Sequence, residues 1–124
     1  MVLQIFCGVL ALVLVLVGFV ALFEPSRMAR LYGVPVDGAP GSAFVRATGA
    51  RDLAFGLALG AAAYFRDEPL LIVLAVVGVL LSMADFSIVY YARGKSLHIA
   101  HGFHASGIIA FLLVITMVLL AFGW

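Results

Sequence analysis

Arg46, Arg51 and Asp52 lie in one otherwise apolar stretch, Val45-Arg46-Ala47-Thr48-Gly49-Ala50-Arg51-Asp52-Leu53-Ala54-Phe55-Gly56, while Asp85 lies in a second and His98, His101 and His104 in a third. Carboxylates, imidazoles and guanidinium groups are the side chains of acid–base chemistry. Burial disfavours a charged carboxyl and a neighbouring arginine favours it, so a cluster of such groups can hold an acid and a base near neutral pH. Charges are expensive inside an apolar span and by default mark a functional site there. Asp52, Asp85, His101 and His104 are therefore the candidate catalytic groups. Arg46, Arg51, Ser82, Tyr90 and His98 are the candidate substrate-binding groups, with an arginine available for an anion or a developing oxyanion. Proton transfer among them fits an isomerase, cyclase or epoxide-type hydrolase acting on a small lipophilic substrate that enters from the bilayer.

Other chemistries compete for the same residues. Arg51 with Asp85, or Arg46 with Asp52, would make buried pairs that only hold helices together, as in a non-catalytic accessory or chaperone-like membrane subunit. Buried pairs are a costly means of stabilisation, which favours a role beyond glue. His98, His101 and His104, at i, i+3 and i+6, fan over about 120° of a helix, so neighbouring pairs suit a metal better than all three together. HxxH is a weak signal, and neither a metal nor any other cofactor is expected. Ser82, Ser87 and Ser106 are ordinary small residues for membrane helices and do not make a nucleophilic triad.

The elements that must position these groups follow from composition. Of 124 residues 66% are hydrophobic and 10% charged, with a formal net charge of +1, far from the usual globular balance. One integral membrane domain is expected. No basic run is present, which argues against nucleic acid as a partner. The single Cys7 excludes an intrachain disulfide and a cysteine zinc site.

Four apolar runs, about 2–23, 42–65, 70–92 and 97–123, are each long enough to cross about 30 Å of hydrocarbon. The fold class is an all-α four-helix membrane bundle with a short interfacial helix between the first two spans. The first run has no Lys or Arg ahead of it and exceeds a signal-peptide core, so it is expected to be retained. The short helix begins at Pro25 and ends at Gly33 before Pro35, with Arg27 and Arg30 toward water and Met28, Leu31 and Tyr32 on lipid or protein. Asp37-Gly38 and Pro40-Gly41 read as turns, Ser42 as the N-cap of the second span, and Ser96 as that of the fourth. Trp124 is an interface anchor. Gly49, Gly56 and Gly60 form a small-residue stripe on the second span and Gly78 with Ser82 another on the third; both permit close helix contact, within the chain or in a homo-oligomer.

Arg27, Arg30, Arg93 and Lys95 fall in the first-to-second and third-to-fourth connections, which the positive-inside rule places in the cytoplasm, with the termini outside. Asp52, Asp85, His101 and His104 then lie about 7 to 15 Å below the cytoplasmic surface. Folding the last two spans about Arg93-Gly94 sets Asp85 level with position 102 or so, beside His101. The polar groups converge in the cytoplasmic half, expected in a bacterial inner membrane, and membrane lipid and a small lipophilic substrate are the expected partners.

Pro25 with Tyr32-Gly33-Val34-Pro35, the Arg46-Ala47-Thr48-Gly49-Ala50-Arg51-Asp52 run with Gly56, Asp85, and the His-rich opening of the last span together resemble the small four-helix membrane proteins of the DoxX-like group, in particular a bacterial and fungal branch catalogued as a domain of unknown function. The resemblance spans nearly the whole chain and implies an all-α membrane bundle. Some DoxX-like relatives are associated with quinone-linked thiosulfate oxidation and others with assembly or trafficking of partner proteins. The absence of paired cysteines here sets a thiol-redox role aside.

Overall fold

Long apolar runs separated by short polar turns build a chain whose described residues are helices and their connections, without a strand. The structure is a computed structural model that describes residues 1–34, 36–93, 95 and 99–122. Its helices are α1 (Val2–Phe23), α2 (Pro25–Tyr32), α3 (Gly38–Phe65), α4 (Glu68–Ala92) and α5 (Ile99–Phe122). By length and composition α1, α4 and α5 can each cross a membrane. The 28-residue α3 is the helix that carries Arg46, Arg51 and Asp52.

Local chemistry sets the ends. Pro25 opens α2, where a missing N–H costs nothing, and Gly33 closes it in a left-handed conformation at φ 83°. The Asp67 carboxylate accepts the Leu70 amide at 3.0 Å and caps α4, whose first turn holds Pro69. The third helix starts at Gly38, four residues before the expected Ser42, with Asp37 preceding it. Pro40 permits this because its position in the first turn needs no amide donor. Pro35, Gly94, Ser96, Leu97, His98, Gly123 and Trp124, and with them the expected cap at Ser96 and anchor at Trp124, lie outside the described residues.

Helices in lipid gain little from burying apolar surface against one another, so small residues that admit close backbone approach decide who packs on whom. A Cβ added at Gly18 would stand 2.5 Å from the Gly49 carbonyl oxygen, and one at Gly56 would stand 2.8 Å from that of Ala11. The glycine stripe of α3 is thus spent inside the chain, on an antiparallel α1. On α4, Gly78 receives the Phe111 ring of α5 and Ser82 meets Gly107. Two tight pairs result, α1 with α3 and α4 with α5, while α3 and α4 touch each other only sparsely. The short α2 lies across one end, burying Met28, Ala29 and Tyr32 against Ala21 and Val45. Outside, Leu12, Leu16, Phe19, Leu80, Ile109 and Leu120 are all exposed, a surface suited to hydrocarbon.

Candidate functional site

Between the two helix pairs, at the α2 end, four charged or hydroxyl side chains form one connected unit. Arg51 Nε and Nη2 donate to Asp52 Oδ1 at 3.2 and 3.1 Å. Its Nη2 and Nη1 also donate to Asp85 Oδ2 and Oδ1 at 2.8 and 3.4 Å. The other oxygen of Asp52, Oδ2, accepts the Tyr32 hydroxyl at 2.9 Å. One guanidinium therefore spans the sparse α3–α4 seam, and one phenol ties α2 to the same carboxylate. Burial, and then the Asp52 charge, push the Tyr32 phenol far above its ordinary value, so it stays a donor.

His104 completes the unit. Its Nε2 lies 3.1 Å from the Tyr32 carbonyl oxygen. A carbonyl can only accept, so Nε2 is the donor, and Nδ1 is the acceptor of that tautomer. The ring stacks beside the Tyr32 ring.

Two cavities flank these residues. A central one of about 250 Å³ runs between the helix pairs and is lined by Tyr32, Arg51, Asp52, Ser82, Asp85 and His104 together with aliphatic and phenylalanine side chains. A side cavity of about 450 Å³ lies among α2, the start of α3 and the end of α4, with Val36, Phe44, Val45, Ile88 and Val89 on its walls. Tyr32, Asp85 and His104 line both. The larger volume lies within the range of small-molecule sites, about 300 to 1,000 Å³, and the smaller just below it.

The remaining expected residues fall elsewhere. His101 is buried edge-on against Phe86 and Tyr90 and lines neither cavity. Its place beside Asp85 is taken by His104, because the Gly78–Phe111 and Ser82–Gly107 contacts set the α4–α5 register two residues further along than a turn centred on Arg93-Gly94. Tyr90 packs on His101 rather than on the cavities. Arg46 is exposed and lines neither cavity, and the partner of Asp52 is Arg51. His98 lies outside the described residues. Among the described residues no three His, Cys, Asp or Glu side chains gather at metal-binding spacing.

Tyr32 escaped the sequence reading, which gave it only a surface on lipid or protein. Its signal was a helix bracketed by Pro25 and Gly33 and therefore fixed in length, with one phenol in its last turn.

The family described as a domain of unknown function, DUF4267, matches residues 11–120. The chain belongs to that family. The DUF4267 match takes in every residue of the clamp, from Tyr32 to His104. No curated protein and no solved structure matches the chain.

Proposed function

We propose that this DUF4267 protein is a membrane-embedded enzyme that moves protons on a small lipophilic substrate, by isomerisation or cyclisation. The supporting observation is that Asp85 and His104 lie together on the wall shared by two mainly apolar cavities. In this reading His104 Nδ1 takes a proton from one atom of the substrate and returns it at another, and the Asp52–Asp85 carboxylates stabilise the imidazolium between the two steps. Such a shift needs no co-reactant. Arg51 holds both carboxylates in place, and Tyr32 fixes Asp52 and, through its carbonyl, the His104 tautomer.

The same reading takes α3 as a fourth span and α2 as a helix at the membrane interface. Arg27, Arg30, Arg93 and Lys95 all belong to the α2 end, which supports reading the site as lying in the cytoplasmic half of a bacterial inner membrane with both termini outside. The reading also takes the chain as a relative of the wider DoxX-like group.

Deuterium labelling tests the proposal. Membranes holding the protein are incubated in D2O with lipid extract from the source cells, and lipophilic species are compared by chromatography and mass spectrometry. Wild type is expected to write deuterium into an isomerised product, and Asp85→Asn and His104→Gln are expected to abolish it. If no labelled product depends on the protein, the enzyme proposal falls. A non-catalytic accessory subunit would then be favoured, because the Arg51 clamp bridges α3 and α4, which otherwise touch only sparsely.

A further inference from the structure

Hydrogen-bonding capacity around the two cavities is lopsided. Arg51 spends four hydrogen bonds on Asp52 and Asp85. The hydroxyl protons of Tyr32 and Thr48 go to Asp52 and the Phe44 carbonyl, that of Ser106 goes to the Phe103 carbonyl, and His104 Nε2 serves the Tyr32 carbonyl. Among the described residues that line the cavities, only the Ser82 hydroxyl and one remaining N–H of Arg51 are left to donate. Unused acceptors are more numerous: lone pairs on both carboxylates, on the Tyr32 and Thr48 oxygens, and Nδ1 of His104. That histidine is only 7% exposed, and its Nδ1 makes no hydrogen bond among the described residues.

Charge is lopsided in the same direction. Two carboxylates face one guanidinium, a formal charge of −1 among apolar walls. Among the described residues no other charged side chain lines either cavity. Glu24, Arg27 and Arg30 at α2 and Arg46 on α3 are exposed, and Arg93 of the α4 end donates to the Gly33 carbonyl at 2.6 Å. An unbalanced charge in such surroundings is costly until a cation or a proton meets it. The side cavity also has an apolar lip that can reach lipid, where Phe44 and Ile88 are 79% and 60% exposed.

We infer that the ligand of this site is a lipophilic amine, its protonated nitrogen held at Asp85 and His104 and its hydrocarbon body in the side cavity. The inference rests on the reading of the site as one for a lipophilic molecule and adds the charge that the molecule carries. It excludes anions from that position, because the guanidinium that would bind them is occupied by two carboxylates.

Binding of three probes with one chain length decides the matter: N,N-dimethyldecylamine, decanol and decanoate, each added to protein in zwitterionic-lipid nanodiscs. The readout is the concentration dependence of the thermal unfolding midpoint by circular dichroism. Wild type is expected to hold the amine at least about tenfold more tightly than either other probe, and Asp85→Asn to reduce the amine to the level of decanol. The wild-type comparison stands by itself if Asp85→Asn fails to fold, and His104→Gln, expected to weaken the amine selectively, gives a second variant. Equal binding of all three, a preference for decanoate, or an amine preference that survives Asp85→Asn overturns the inference. Deuterium labelling without amine preference would sink this inference and leave the enzyme standing; amine preference without labelling would do the reverse.

Discussion

Replacing Tyr32 by Phe tests the link between α2 and the charged unit. The ring loses one oxygen and keeps its packing against Met28, Ala29 and Phe103, so nearly all of the effect belongs to the hydrogen bond to Asp52. A hydrogen bond to a charged group contributes about 1.5 to 3 kcal/mol. Asp52 keeps Arg51 on Oδ1 and loses its partner among the described residues on Oδ2, which places the expected loss near 2 kcal/mol, about 30-fold in the unfolding equilibrium. Reversible unfolding in mixed micelles reads this directly. Combining Tyr32→Phe with Asp52→Ala should show a coupling of about 1 to 2 kcal/mol, since each variant removes one end of the same bond. A Tyr32→Phe loss below about 0.5 kcal/mol, or strict additivity with Asp52→Ala, would refute the assignment of Tyr32 as the tether of this carboxylate.

Further outcomes follow from the same geometry. Above about pH 10 the unfolded chain gives up the Tyr32 proton while the folded protein retains it, so stability falls as pH rises from there, and Tyr32→Phe should lose that part of the slope; unfolding measured from pH 8 to 11 shows it. Arg51→Gln leaves two carboxylates without a counter-charge and should cost about 3 kcal/mol, whereas Arg46→Gln, at an exposed site, should change stability by less than about 0.5 kcal/mol in the same assay. Gly18→Ala drives a Cβ onto backbone atoms of α3 at 2.5 and 2.6 Å and should lower the unfolding midpoint sharply, while Gly8→Ala, with nothing within 4 Å, should leave it unchanged or raise it. Asp67→Ala removes the α4 cap and should cost about 1 kcal/mol.

Much of the site was legible because it depends on depth, and depth follows from counting residues along helices. Asp52, Arg51 and Asp85 meet because each sits a similar number of turns from the same end. Choosing between His101 and His104 was beyond such counting. The two lie three residues apart on one helix face, and a two-residue change in register, set by where Phe111 and Gly107 find Gly78 and Ser82, exchanges one for the other. Arg46 and Asp52 are six residues apart, which puts them far round a helix from each other, so their proposed pairing gave way to Arg51. Tyr32 was illegible for a different reason. Its role depends on how α2 lies across the helix ends, and no periodicity within eight residues encodes that angle.

The sparse seam between α3 and α4 also has a mechanical meaning. At the far end the two helices are joined by the short turn at Arg66 and Asp67, with Arg66 left-handed at φ 56°. Asp85 stands 17 residues from Glu68, so α4 is a lever about 26 Å long with the charge clamp near its tip. A swing of about 5° at that turn moves the tip by about 2 Å, enough to part Arg51 from Asp85. The clamp is thus a latch on a pair of tongs, and the glycine-bonded helix pairs are its rigid arms.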